Sequence, residues 1–368
     1  MRTGFETTRR PGYEIVQGDP VAHRQDVVNL GIQSLPAARE SWESRYPKYY
    51  EHNPLGPPSL FLAKDAVSQE FVGTTALFPT ALRVCGELVP AGIVGDFAVD
   101  PHHRTLGPAI TLQRAVLAKL PERGLSCLLG TPSALADPVI DRVGWSDLGC
   151  LTRFVKVLKS RVVAERYAGD RIAGRIAAGL STLTVDPILA VTSREHYRRR
   201  DRAFSVEHPR LFDDRFADVW EAARREFPIS SERTVELLNW RFEKSGSVRT
   251  DAYTLFALMA ASQVAGYVVY RMKNGIRDVV DILFLPSQTI ADALLAEFLR
   301  DTRRARANAI SVLYLGPENL LTRRLRAFGF LRRTDPAKLR VYTSPNTSFR
   351  ADPLQAENWY FLGGDRDM

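Results

Sequence analysis

Cysteine, methionine and histidine are scarce in this chain, at three, four and six residues of 368. Cys85, Cys127 and Cys150 are odd in number and widely spaced, which excludes a disulfide framework and a paired-cysteine zinc site. Each is expected to be a small core residue rather than a nucleophile. No window offers the ~18 uninterrupted apolar residues of a membrane span. Arg2, Glu6, Arg9 and Arg10 leave no apolar stretch in the first ten residues, so no secretory signal is expected there. A Gly-x-Ser-x-Gly elbow, a Gly-Lys-Ser/Thr phosphate loop and a clustered His/Cys set are all missing, and with them the usual marks of hydrolases, kinases and metalloenzymes. The expectation is a cytoplasmic protein with no metal and no membrane insertion.

What is present suits a folded protein with two proper cores, since 45% of the residues are hydrophobic and 25% charged. The net charge is +8. Its excess lies in separate clusters: Arg198–Arg199–Arg200 with Arg202, Arg303–Arg304 with Arg306, Arg323–Arg324 with Arg326, and Arg332–Arg333. A nucleic-acid surface needs one basic stripe with aromatic platforms, so no nucleic-acid partner is expected. Asp201 is the only acidic residue within 198–202, which keeps a local contact with an anionic coenzyme or glycan open.

Periodicity predicts a strand at Tyr13–Gln17, a helix near Val21–Gln33, and a helix bearing Trp42, Tyr46, Tyr49 and Tyr50. Strands follow at Ser59–Lys64, Phe71–Phe78, Leu82–Val84 and Ile93–Val99. A helix at Pro108–Leu120, a strand at Ser126–Leu129, a helix to Val143 and a strand at Leu151–Leu158 close the first half. The second half repeats the plan. Strands at Thr254–Met259, Val264–Arg271 and Arg277–Leu285 lead to a helix at Gln288–Thr302, a strand at Ala309–Leu315, a helix ending at Gly329–Phe330 and a strand at Leu339–Tyr342. Pro101 precedes Gly144 by 43 residues, and Pro286 precedes Gly329 by 43. Asp96 and Asp281 each lie five residues before those prolines. Fixed internal offsets mark a duplication.

The most informative stretch is residues 94–114. An apolar strand ends at Val99–Asp100–Pro101, and Arg104, Gly107 and Ala109 then lead straight into an amphipathic helix. The first amide hydrogens of a helix have no intrahelical partners, so this turn is a ready seat for phosphate. Gly107 lets a ligand approach the backbone closely.

At these residues the sequence resembles the GNAT superfamily of N-acetyltransferases, whose loop reads Arg/Gln-x-x-Gly-x-Gly/Ala after a strand ending near Val-x-Pro. The resemblance implies a mixed-sheet α/β fold in two tandem GNAT-like domains. These would be an N-terminal coenzyme-binding domain at 1–160, a helical bridge at 161–204, a degenerate copy at 205–345 and a tail at 346–368. It implies acetyl-CoA or another acyl-CoA as co-substrate and an amine of a small molecule or glycan as acceptor. The cofactor contacts it implies are the backbone of Phe97, Ala98 and Val99, the loop Arg104, Thr105, Leu106, Gly107, Pro108 and Ala109, and Ser133. Pro108 departs from the pattern, because it removes one amide donor from the cradle.

Acid and base are where the chain departs further. The family's Tyr, which protonates the leaving thiolate, falls on Ile140, and its usual base positions fall on Ile93 and Gly95. Asp96 is the remaining carboxylate, either as base or ammonium anchor or as a structural group, since Asp281 interrupts the second copy in the same way. His102 and His103 flank the loop, and Tyr49 or Tyr50 stands in reserve as an acid. In the second copy Arg104, Gly107 and Ala109 become Thr289, Asp292 and Leu294. That replacement removes the cation, sets a carboxylate against phosphate and fills the close-approach position.

The segments Leu237–Phe242, Asn358–Phe361 and Gly363–Asp365 resemble two-domain acetyltransferase-like proteins of bacterial surface-polysaccharide synthesis, which suggests an amino-sugar acceptor. Aromatic packing at a domain interface explains them equally. Two other functions stay open: a non-catalytic tandem binding module, and an aminoacyl- or acyl-carrier-dependent transferase of the cell-wall peptide type.

Overall fold

The computed structural model describes residues 12–34, 39–104, 106–159, 195, 201–242, 252–345 and 347–366. Thr105 and most of the predicted bridge lie outside these residues. The first half runs β1 (Tyr13–Gly18), α1 (Arg24–Ser34), α2 (Arg39–Tyr46), a π-helical turn (Pro47–Glu51), β2 (Ser59–Asp65), β3 (Phe71–Val84) and β4 (Glu87–Val99). It continues through α3 (Leu106–Glu122), β5 (Cys127–Gly130), α4 (Asp137–Arg142) and β6 (Ser146–Val157). The second half begins with β7 (Phe204–Glu207), α5 (Arg215–Ala223), β8 (Ile229–Ser231) and α6 (Val235–Phe242). Strands β9 (Tyr253–Ala260), β10 (Gln263–Lys273) and β11 (Ile276–Phe284) follow. Then come α7 (Gln288–Arg304), β12 (Ala309–Leu315), α8 (Leu320–Ala327), β13 (Leu331–Thr343) and β14 (Trp359–Leu362).

All these strands join one sheet, in the order β1-β2-β3-β4-β5-β13-β6-β12-β11-β10-β9-β7, with β8 and β14 attached to its side. The two copies are plain in that order, but each closing strand has crossed over. β13 lies antiparallel to β5, Arg340 opposite Gly130 and Thr343 opposite Cys127. β6 lies antiparallel to β12, Ala309 opposite Val157 and Tyr314 opposite Thr152. The sequence reading kept each closing strand with its own half. Periodicity fixes which face of a strand is buried, and it carries no information about which strand becomes its neighbour.

Charge secures the exchange. Arg340 Nε on β13 donates to Asp137 Oδ1 on α4 at 2.8 Å, and Lys338 Nζ reaches Asp147 Oδ2 on β6 at 2.9 Å. Arg340 Nη1 also meets Asp141 at 3.1 Å.

Two cores flank the first half of the sheet. One, under α1 and α2, gathers Val27, Leu30, Trp42, Tyr46, Tyr50, Phe78 and Ile93. The other, under α3, gathers Leu77, Ala109, Leu112, Val116, Leu128 and Trp145. A third core, built around Phe256, Val268 and Phe298, fills the second half. The strands expected at Phe71–Phe78 and Leu82–Val84 are one, β3, with Pro79 inside it. β2 has ended opposite Leu77 and β8 begins opposite Leu82, so its missing N–H interrupts no ladder on that side. Of the cysteines only Cys127 is buried, and Cys85 and Cys150 are exposed, contrary to the expectation for those two.

Candidate active site

β4 and β5 pair in parallel at only three steps, Ala91 with Cys127, Gly92 with Leu128 and Ile93 with Leu129. Beyond Ile93 the strands part. From Val94 to Val99, β4 keeps β3 on one side, and among the described residues no strand lies on the other. Such an edge offers a row of backbone donors and acceptors to an extended ligand that carries amides.

The edge is kinked by a bulge. Thr74 faces Ala98 and Ala76 faces Gly95, so Asp96 and Phe97 together stand opposite Thr75. Asp96 takes a left-handed φ of 49°, a conformation that Asp tolerates better than most residues. The kink aims its carboxylate into the α2 side. There Arg45 Nη1 lies 3.1 Å from Oδ1, and the Tyr50 hydroxyl donates to Oδ2 at 2.9 Å. The Asp96 side chain is 3% exposed and that of Arg45 30%. Tyr50 belongs to the π-helical turn and stacks on Tyr46 at 4.0 Å between ring centroids. Burial, and after it the Asp96 charge, push the Tyr50 hydroxyl well above its ordinary value of 10.0, so it stays a donor. Both oxygens of Asp96 are therefore engaged. The arrangement suits a carboxylate that holds the kink.

β4 hands over to α3 through a short 3-10 turn, Pro101–His103, whose start is capped by Asp100 accepting the His102 N–H at 2.7 Å. Arg104 then folds back, with Nε donating to the Val99 carbonyl at 3.2 Å and Nη2 to the Ser34 carbonyl at 3.4 Å. Its guanidinium thus ties the loop to the ends of β4 and α1, a role the motif alone does not reveal. Gly107 is exposed in the first turn of α3, while Pro108 and Ala109 are buried. The Leu106 backbone opens that helix. His103 meets the Tyr13 hydroxyl at 3.3 Å, and His102 is exposed.

The remaining predicted residues lie on several elements. Phe97 packs partly buried against the α3 core, with Ala98 and Val99 buried beside it. Ser133 is exposed in the turn before α4, where its carbonyl accepts from Asp137 N at 2.9 Å. Ile140, in place of an acid, is 5% exposed and packs in the core. Among the described residues no group of three or more His, Cys, Asp or Glu is placed to hold a metal ion, and no helix is long and apolar enough to cross a membrane.

The second half repeats the design and then closes it. Asp281 interrupts β11 as Asp96 interrupts β4, and it too is met by one arginine and one tyrosine. Arg233 Nε lies 3.2 Å from both oxygens, and the Tyr267 hydroxyl donates to Oδ2 at 3.1 Å. β11 and β12 pair from Ile276–Ala309 to Val279–Val312 and then part. Here β14 enters the gap, setting Leu362 and Phe361 opposite Tyr314 and Leu315 of β12. The following turn, Gly363–Asp365, lies against β11, where a Cβ added at Gly364 would stand 3.0 Å from the Val280 carbonyl oxygen. Asp292 is not turned toward an empty phosphate seat. It is buried in an ion pair with Arg324 of α8, and Leu294 is fully buried. No sequence signal marked β14 as the strand that fills this gap.

Comparison with known proteins agrees with this architecture. Residues 26–147 match the family model described as an acetyltransferase (GNAT) domain. No curated protein matches the sequence. Among solved structures, a conserved protein of unknown function from Enterococcus faecalis, described as a probable N-acyltransferase, is 13% identical, with a TM-score of 0.63 over 90% of this chain and 72% of that one. A GCN5-related N-acetyltransferase from Kribbella flavida is 15% identical, with a TM-score of 0.57 over 90% of this chain and 71% of its own. The Saccharomyces cerevisiae N-myristoyltransferase, solved with bound myristoyl-CoA and inhibitors, is 12% identical, with a TM-score of 0.57 over 97% of this chain and 88% of that one. At these identities the likeness is one of fold.

Proposed function

Because residues 26–147 match an acetyltransferase (GNAT) domain and the whole chain has a tandem form of that fold, we propose that the first half transfers an acyl group from coenzyme A to an amine. One observation carries this reading. The unpaired edge of β4 leads directly to the start of α3 in the first half, whereas the same gap in the second half is filled by β14. Acetyl-CoA, or another acyl-CoA, is the donor we assign. The acceptor is a small-molecule or glycan amine, with an amino sugar or surface-polysaccharide precursor suggested by the closing segments of the sequence.

The residues present fit such a donor. The first turn of a helix leaves amide hydrogens without intrahelical partners, and in α3 it carries an exposed Gly107, which suits a diphosphate. The edge of β4 along Phe97, Ala98 and Val99, where alternate residues turn their backbone groups away from β3, suits an amide-bearing arm and an N–H facing a thioester carbonyl oxygen as charge develops there. Arg104 keeps the loop in register with the strand end. The acceptor nitrogen forms its bond to the carbonyl carbon, the C–S bond breaks, and the thiolate leaves. Neither Ile140, which stands at the family's acid position, nor the Tyr50 hydroxyl, which is held by Asp96, supplies its proton. Water takes the ammonium proton and meets the thiolate, so turnover is slow for this chemistry.

The missing acid is also what favours a binding module without turnover. Thermal unfolding with free CoA, acetyl-CoA and longer acyl-CoAs tests the shared premise. A ligand at about 100 times its Kd stabilises the folded state by about 2.7 kcal/mol, so the melting temperature should rise. No shift with any coenzyme form would contradict both readings. Release of free thiol from acetyl-CoA across a panel of amines then separates enzyme from module.

A further inference from the structure

The chain's closing segment does more than fill a vacant gap. Asp365 is buried on the turn after β14. Its Oδ2 accepts from Arg233 Nη2 at 2.9 Å and from the Leu362 N–H at 2.8 Å, and its Oδ1 accepts from Arg241 Nη1 at 3.0 Å. Arg241 lies on α6, and its backbone carbonyl accepts from Lys48 Nζ at 2.8 Å. The Trp240 indole returns a hydrogen bond to the Lys48 carbonyl at 3.1 Å. Lys48 belongs to the π-helical turn that also carries Tyr50, whose hydroxyl binds Asp96 at the kink of β4. Two buried aspartates in opposite halves are thus joined by one unbroken series of side chain and backbone contacts. π-helical turns are uncommon and recur at functional sites. This one is held from outside at two points, Lys48 on the Arg241 carbonyl and Tyr50 on Asp96.

We infer that Asp365 is a positioning residue for the first half. The closing segment occupies the second cleft as a resident ligand, clamps Arg233 and Arg241, and so sets α6 at the height where Lys48 and Trp240 hold the Tyr50 turn against Asp96. The inference rests on the acyl-transfer reading only in calling that turn a wall of the reaction site. The interlock itself is a property of the chain with or without coenzyme. It also gives the second half a use after its own cleft closed, since its α6 becomes a support for the working cleft.

The test uses the full chain and three variants: Asp365→Asn, Gly364→Leu and Lys48→Met. Asp365→Asn removes the clamp charge. Gly364→Leu pushes the segment out by collision with the Val280 carbonyl and the Phe242 ring, without altering any charge. Lys48→Met cuts the connection at its other end. The readouts are the Trp240 indole N–H resonance and amide hydrogen exchange. For the first two variants the Trp240 resonance should move and exchange at residues 45–51 should quicken by about tenfold. For Lys48→Met, exchange should quicken at 45–51 and stay slow at 359–366. CoA affinity, which depends on the α3 turn, should be unchanged in all three. Loosening confined to 359–366 and β12, with Trp240 and residues 45–51 unmoved, would overturn the inference. Should Asp365→Asn fail to fold, Gly364→Leu and Lys48→Met decide between the same two outcomes. Absence of CoA binding by the wild-type chain would instead count against the acyl-transfer reading and leave the exchange result to be judged alone.

Discussion

Arg45 and Asp96 stand 3.1 Å apart at the kink of β4, and Arg233 and Asp281 stand 3.2 Å apart at the matching place in β11. One half has an open cleft beside this pair and the other a filled one, yet both keep it. A carboxylate shared by an open and a closed copy is placed to hold the strand in both.

Asp96→Asn should therefore act on stability first. Breaking a fully buried ion pair costs about 3–5 kcal/mol, and the partial exposure of Arg45 reduces this to about 1–3 kcal/mol. Denaturant unfolding measures the loss. If Asp96, with both oxygens already engaged, holds the strand and is not the base, the variant should keep the shape of the wild-type pH profile in any acyl-transfer assay. Disappearance of a limb of that profile would return Asp96 to the role of base.

The exchanged strands give a prediction in acid. The hydrogen bond from Arg340 holds the Asp137 carboxyl below its ordinary value. Burial alone would raise Asp147, but the hydrogen bonds from Lys338 and the Gly149 N–H outweigh it and bring that carboxyl down as well. Both groups bind protons more readily in the unfolded chain. Their stabilisation is full above the ordinary carboxylate range and is lost as pH falls through the depressed folded values. Arg340→Met should cost about 1–2 kcal/mol near pH 7. In urea unfolding the gap between wild type and variant should narrow as pH falls below the ordinary carboxylate range and close only below the depressed folded values. A gap that persists unchanged in acid would show that the charges do not secure the exchange.

How far the sequence reaches is clear from these same residues. Ala109, Leu112, Val116 and Leu120 recur at helical spacing and all lie in the core under α3, because periodicity is a local consequence of backbone geometry. The matching positions of Asp96 and Asp281 showed the duplication. Arg45 and Tyr50, which complete the Asp96 cluster, gave no comparable signal, since they lie on a different element and their approach depends on a bulge. Strand exchange and the entry of β14 were likewise hidden. Both are choices of partner between distant segments, and side-chain alternation is the same whichever partner is chosen.

The cysteines provide a check on burial near the cleft. Cys127 sits at the start of β5, and burial pushes its thiol up to about 12. Cys85 and Cys150 are exposed. A thiol reagent at about pH 8 should label Cys85 and Cys150 promptly, because both are exposed. The third should react only after denaturation. Prompt labelling of all three would mean that β5 opens readily in solution.

The central claim is a single coenzyme seat at the turn where β4 meets α3. Titration calorimetry with acetyl-CoA tests it most directly, on wild type, on Gly107→Glu, and on a Thr289→Arg/Asp292→Gly double variant. One molecule should bind per wild-type chain. Gly107→Glu, which sets a carboxylate at the diphosphate, should abolish binding without unfolding the protein. The double variant should still bind one, since Leu294 and the Gly363–Asp365 turn keep the second cleft full. Two molecules per wild-type chain, or undiminished affinity in Gly107→Glu, would contradict the account.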